Sequence, residues 1–211
     1  MLSQIKKFDI IPFQTSALKA MLSNYNYPAN KISSLLAKGT IIQLKKGLYI
    51  LSEEYCQSSP SKDIIANHIY GPSYISLDYA LSYYSLIPEK VFSVSSITTK
   101  RTRKFITPFG TFTYRQADSK YYSIGINIET IHDKYNFFIA SPEKAICDKI
   151  VFTPYLKITT EKQMQSFLLD DLRIDFSGIE LFDFSIIENC IKADIKRKEL
   201  MVLRKTISSL L

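Results

Sequence analysis

Three residues, Pro28, Gly39 and Gly47, cut the stretch from Thr15 to Leu51 into pieces with different hydrophobic periods, and that cutting limits what the front of this chain can become. Thr15 or Ser16 can cap a helix running to about Leu22, with Ala17, Leu18, Met21 and Leu22 on its buried stripe. The segment SNYNYP ends it. A second helix is predicted from Pro28 or Ala29, where proline suits the first turn, to Gly39, a residue suited to the position just past a helix end. Ile32, Leu35 and Leu36 fall at i, i+3 and i+4 and point inward. TIIQLKKGLYIL then supplies two β-rich runs joined at Lys45-Lys46-Gly47, where glycine permits the positive φ of a tight hairpin. Helix, turn, helix and hairpin in that order predict a winged helix-turn-helix.

In such a module the second helix enters the major groove and the hairpin approaches the backbone. Short polar side chains are needed at base edges and lysines at phosphates. Asn30, Lys31, Ser33, Ser34 and Lys38 occupy the outer side of the second helix, and Lys45 and Lys46 stand at the hairpin turn. These seven residues are the candidate DNA contacts. The competing reading makes each lysine an ordinary solvated charge.

Charge is distributed in blocks. Residues 1–50 carry seven Lys/Arg against one acid, 51–89 one against five, 90–120 seven against one, and 121–211 twelve against thirteen, which together give the net +7. Two basic blocks on a near-neutral remainder are the footprint of a chain that meets a polyanion. A second explanation stays open, because 21 of the 27 basic residues are lysine and the chain is rich in Ile, Tyr, Phe and Asn, as an AT-rich coding bias would produce. Cys56, Cys147 and Cys190 are widely spaced and odd in number, which predicts neither a disulfide framework nor a zinc site and suits a reducing cytoplasm. No run approaches the roughly 18 apolar residues of a membrane span, and lysines occupy the opening MLSQIKKFDIIPF. A soluble, cytoplasmic protein without a membrane partner is the expectation.

SEEYCQSSPSK at 52–62 is polar and contains proline, so the boundary is placed there: a DNA-binding domain over 1–57 and a mixed α/β domain over 58–211, for an α+β chain overall. SKDIIANHIYG predicts a short helix ended by Gly71. Ser76 is the predicted cap of the next helix, which Pro88 ends, and Tyr74, Tyr79, Tyr83 and Tyr84 are read as core packing with hydroxyl tips at the surface. From Val91 the period becomes two, giving strands in VFSVSSITT, RKFITPFGTFTYR, YSIGINIE and YNFFIA. The second basic block, Lys100, Arg101, Arg103, Lys104 and Arg115, lies on these strands. Three readings compete for it: an extended DNA footprint, a site for an acidic partner protein, or protection of a sheet edge. Ser141 and Pro142 open a further helix, and two or three helices, roughly over 160–171 and 184–210, complete the chain.

The catalytic inventory is poor. His68 and His132 have no neighbour at metal-ligand spacing, and no G-x-S-x-G, Walker A or G-x-G-x-x-G occurs. Two D-x-K matches, Asp118-Ser119-Lys120 and Asp194-Ile195-Lys196, are placed in a loop and a helix, where a nuclease would need them on a strand. The GPS at 71–73 does not open a nucleotidyltransferase site, which would need a following pair of carboxylates on a strand, whereas Asp78 is read as a lone carboxylate in a helix. No enzyme activity, metal or cofactor is expected.

Four stretches, KISSLLAKGTIIQLKKGLYIL, IANHIYGPSYISLDYALSYYSLIPE, VSSITTKRTRKFITPFGTFTYR and FFIASPEKAICD, together spanning about residues 31–148, resemble the AbiEi-type antitoxins of abortive-infection, type IV toxin–antitoxin systems. GPSYISLDYALSYYSLIPE and SPEKAICD are the more specific. The resemblance implies an N-terminal winged helix-turn-helix that represses its own operon at operator DNA. It also implies a C-terminal domain that counters a nucleotidyltransferase-fold toxin. After about Tyr155 no motif matches, and the oligomeric state is left open. The rivals are a DNA-binding regulator whose back domain senses a ligand or oligomerises, and a DNA nuclease.

Overall fold

The computed structural model describes residues 2–177 and 182–210, which form a mixed α+β fold. A short helix α1 (Leu2–Ile5) precedes β1 (Phe13–Gln14), α2 (Thr15–Met21), α3 (Pro28–Ala37), β2 (Ile41–Lys45) and β3 (Leu48–Leu51). The three strands form one antiparallel sheet in the order β1-β3-β2. Pro28 opens α3, Gly39 follows it at φ 66°, and Gly47 turns the hairpin at φ 82°, the left-handed region where glycine costs least. Neither Thr15 nor Ser16 caps α2: the Thr15 hydroxyl donates instead to the Gly47 carbonyl at 3.4 Å. That bond ties the start of α2 to the hairpin turn.

Every residue of β3 is buried, and the pleat explains why. Successive side chains point to opposite faces. Tyr49 and Leu51 join Phe13, Leu18, Leu22, Ile32, Leu35 and Ile41 in a small front core. Leu48 and Ile50, with Ile10 and Leu44, belong to the larger core behind. The hairpin is therefore a wall shared by two cores, and a chain beginning at residue 58 would leave the larger core open on that side.

A polar pin reinforces the wall. The buried Asp9 carboxylate accepts from the Gln57 amide at 2.7 Å and from the Tyr135 hydroxyl at 2.6 Å, joining the front unit to strand β9 (Tyr135–Ala140). Burial alone would raise the Asp9 pKa, but the Tyr135 phenol, the amides of Gln57 and Ser58 and the nearby Lys134 outweigh it and hold the group below its ordinary 3.8. A depressed carboxylate pKa contributes stability that is present above the unfolded value and is lost as pH falls through the folded one. Asparagine matches aspartate in size and shape, so Asp9→Asn tests the charge with little change in packing. This variant is expected to lose about 1–3 kcal/mol near neutral pH. The gap to wild type should shrink below about pH 4. Urea unfolding at several pH values measures it, and a pH-independent gap would refute the role given to the carboxylate charge.

The back of the chain is built on a six-stranded mixed sheet, in the order β6-β7-β5-β4-β9-β8. Its remaining strands are β4 (Ser73–Ile75), β5 (Val94–Thr98), β6 (Arg103–Thr107), β7 (Gly110–Gln116) and β8 (Ile126–Ile131). Helix α4 (Lys62–Ile69) meets one face, where the Tyr114 hydroxyl donates to the Ala66 carbonyl at 2.6 Å. Tyr74, whose partner Ile97 is next to Tyr114's partner Ser96, points to the opposite face. The other helices are α5 (Leu77–Tyr83), α6 (Ser119–Tyr122), α7 (Pro142–Phe152), α8 (Glu161–Ser166), α9 (Phe184–Lys192) and α10 (Arg197–Ser209). Ser61 and Ser141 cap α4 and α7.

The helix predicted over 160–171 is α8 continued by a π-helical turn at Phe167–Asp171. The stretch 184–210 is two helices, α9 and α10, parted where Asp194 and Lys196 take left-handed conformations at φ 63° and 47°. Asp194-Ile195-Lys196 is thus a turn and not helical. The Lys196 ammonium donates to the carbonyls of Ile150 and Thr153 at 3.0 and 2.8 Å, closing the end of α7. Asp118 caps α6 through the Lys120 amide.

Candidate nucleic-acid interface

On α3, Ile32 and Leu35 are buried while Asn30 and Ser33 are exposed and Lys31 and Ser34 half-buried; Lys38, just past its end, is exposed. The helical period leaves this polar strip outside once the apolar stripe faces α2 and β2. Lys31 carries its ammonium 5.4 Å above the Tyr25 ring. The Ser33 hydroxyl donates to the Ala29 carbonyl at 3.2 Å, so toward an outside ligand it offers only lone pairs.

The hairpin lysines part company. Lys46 is exposed. Lys45 turns back from the hairpin, donates to the Ile69 carbonyl at the end of α4, and lies 5.6 Å over the Phe105 ring. The reason is electrostatic as well as steric, because the last carbonyls of a helix attract a cation. Burial, followed by the charges of Lys100 and Arg103, pushes the Lys45 pKa down.

Those two neighbours come from the other basic block. Lys100 donates to the Gly71 carbonyl at 2.5 Å and sits 5.4 Å from the Tyr70 ring. The Arg103 guanidinium lies 5.9 Å from both Tyr70 and Phe105. Cations more than fifty residues apart in sequence thus gather around two aromatic rings, a contact worth roughly 0.5–2 kcal/mol per cation.

The second block is not one cluster, however. Arg103 pairs with Tyr114 and Lys104 with Thr113, so the pleat sends Arg103 toward α4 and Lys104 to the opposite face. Arg115 shares the face of Lys104, and its guanidinium reaches the Phe152 carbonyl at the end of α7 at 3.4 Å. Arg101 is exposed on the loop before β6.

A second constellation was not visible in sequence. Lys144 and Asp148, i and i+4 on α7, are both 0% exposed, with Nζ 3.2 Å from Oδ1. Asp148 Oδ2 accepts from the Tyr74 and Ser76 hydroxyls at 3.0 and 2.6 Å. Oδ1 has no aligned hydrogen bond, so the Lys144 contact is an ion pair and not a directed bond. The ammonium also donates to the Tyr121 carbonyl at 3.0 Å and lies 3.1 Å from that ring's centroid. Outside this knot, Lys149 binds both oxygens of Asp78 at 2.6 and 2.8 Å. Asp78 lies in α5 as expected, with a lysine and not a carboxylate as its partner; Ser76 does not cap α5, and the Tyr74 hydroxyl is not at the surface. The two most specific stretches of the resemblance interlock here.

Gly125 makes room for the knot. At φ 59°, a Cβ there would lie 2.9 Å from the Lys144 Cβ and 2.7 Å from the Ile186 Cγ2. The i, i+4 spacing of Lys144 and Asp148 permits the pair, but the same spacing is usual for exposed ion pairs and so does not announce a buried one. Sealed from solvent, the knot holds β4 and the start of α5 against α7.

Among the described residues no three His, Cys, Asp or Glu side chains group as a metal site would need, and no helix is long and apolar enough to cross a membrane. No protein-family model and no curated protein matches this chain.

Proposed function

We propose that this chain is a DNA-binding repressor. Its front unit acts as a winged helix-turn-helix with α3 in the major groove, and the chain serves as the antitoxin of a type IV system of the AbiEi kind. The observation that carries the DNA reading is the gathering of Lys45, Lys100 and Arg103 around Tyr70 and Phe105, beside the exposed Lys46. A gathering of like charge costs stability unless a counter-charge meets it. A phosphate backbone is such a counter-charge. It favours the extended footprint for Lys100, which lies outside the strands; Arg103, the first residue of the edge strand β6, suits edge protection as well. The exposed Asn30 and Ser33 and the half-buried Lys31 and Ser34 on α3, with Lys38 at its end, supply the base-reading strip.

The antitoxin half rests on the resemblance of residues 31–148. Its partner is a nucleotidyltransferase-fold toxin, and co-expression with such a protein encoded beside it, scored by growth, tests that half.

The DNA half is tested with Lys31→Ala, Ser34→Ala and Lys38→Ala combined. Loss of a base-edge contact costs about 1–3 kcal/mol, so the triple variant should bind its own promoter at least roughly tenfold more weakly while unfolding at the same urea concentration as wild type. Equal promoter binding by the two proteins would remove α3 as the reading helix.

A further inference from the structure

Across the α4–β4 turn from the basic cluster lies a half-open cleft of about 570 Å³, a size within the range of small-molecule sites. Tyr122, Ile126, Ile128 and Phe138 give it an apolar surface. Ile128 is 63% exposed and Phe138 50%, an unusual display for paired neighbours in a sheet. No Lys, Arg, Asp or Glu lines it among the described residues. A charged occupant would be stripped of water with nothing to compensate.

Its polar groups are specific. The His68 Nδ1 lies 2.9 Å from the Ile64 carbonyl, which only accepts, so Nδ1 carries the proton and Nε2 of the neutral ring is an acceptor. Asn136 Oδ1 is occupied by the Thr130 hydroxyl at 2.9 Å, which leaves the Nδ2 amide to donate. Ser73 is 3% exposed, and its hydroxyl has no hydrogen-bond partner among the described residues, an arrangement that costs stability until something fills it.

We propose that this cleft binds a flat, uncharged heteroaromatic molecule carrying both a hydrogen-bond donor and an acceptor, and that its occupancy is felt at the basic cluster. The rings stack on the Phe138, Ile128 and Tyr122 side chains, and the donor and acceptor meet His68 and Asn136.

The connection to the cluster is short. Gly71 and Pro72 form part of the cleft wall. The Gly71 carbonyl holds the Lys100 ammonium, and the Pro72 carbonyl accepts from the Thr98 hydroxyl at 2.7 Å, which in turn accepts from the Lys100 amide at 3.2 Å. A ligand that moves the wall therefore moves Lys100. This second half rests on the reading of the cluster as a DNA surface; the first does not.

Benzimidazole, which has one donor and one acceptor on a neutral two-ring frame, is the probe, with benzoate as its charged counterpart. In nitrogen-15 spectra of the full chain, benzimidazole should shift the amides of Gly71, Ser73, Ile128 and Phe138 with a Kd of about 1 mM or tighter, the range of a good fragment. Benzoate should bind at least roughly tenfold more weakly. Ile128→Glu, a change at an exposed position, should weaken benzimidazole by a similar factor. Absence of these shifts at 1 mM and above, or shifts that Ile128→Glu leaves intact, would overturn the site. The same shifts appearing on raising protein concentration without probe would assign the cleft to a second copy of the chain and overturn it equally. Saturating benzimidazole should then change affinity for promoter DNA at least about threefold. Binding without that change overturns the coupling and leaves the site. A chain that binds no DNA at all overturns the proposed function, while the spectra still decide the cleft.

Discussion

Replacing Asp148 by asparagine is expected to destabilise the chain by about 3–5 kcal/mol, because it leaves the Lys144 ammonium buried without a counter-charge. That is a large fraction of the 5–15 kcal/mol by which a domain is ordinarily stable, so urea unfolding should shift to a much lower midpoint. Two further variants separate charge from packing. Tyr74→Phe removes one hydrogen bond to Asp148 and leaves the ion pair, so its cost should stay near 1 kcal/mol. Lys144→Met with Asp148→Leu removes both charges at similar volume, and replacing a buried pair by apolar groups is often neutral or stabilising. The double variant should therefore unfold at a higher urea concentration than Asp148→Asn alone. If Asp148→Asn unfolds within about 1 kcal/mol of wild type, the knot is not what fastens β4 to α7.

The front of the chain was legible because its signals are local. Pro28, Gly39 and Gly47 each impose a backbone preference that no distant contact needs to supply, and the two helices and hairpin lie where those residues put them. The long strands were legible for the same reason, since a period of two over five or more residues is a local pattern. Strand β4 was not. Three residues cannot display a period, and Ser73–Ile75 becomes a strand only because β5 and β9 hold it from both sides. The shared wall was hidden differently. LYIL at 48–51 is uninterrupted apolar sequence, which says that both faces are covered but not that each belongs to a different core.

Among the candidate contacts, sequence could identify lysines but not which way they turn. Lys45 and Lys46 are neighbours with the same chemistry, and only the carbonyl of Ile69, supplied by α4, draws one of them inward. The basic block at 100–115 likewise reads as one cluster until strand register is known. Pairing of Arg103 with Tyr114 and of Lys104 with Thr113 then splits it between two faces.

That split gives the DNA reading its most discriminating test. Lys100→Ala with Arg103→Ala removes two positive charges from the face that carries Lys45, Tyr70 and Phe105. Lys104→Ala with Arg115→Ala removes two from the opposite face. Net charge changes equally, so any effect of overall charge on a polyanion is matched between the pairs. If phosphates lie along the first face, the first pair should reduce the slope of log affinity against log salt by roughly 0.9 per lost contact, about 1.8 in all, and the second should leave it near wild type. Affinity for unrelated duplexes should fall by the same factor as for the promoter, because phosphate contacts position the protein without reading sequence. The exposed side chains of both pairs give up only single hydrogen bonds and cation–ring contacts, so both variants should stay folded, with stability changed by at most a few kcal/mol. The slopes are measured by titrating labelled duplex at several salt concentrations. Equal slopes for the two pairs would mean that DNA does not distinguish the faces, and a larger change from Lys104 and Arg115 would move the footprint to the α7 side of the sheet.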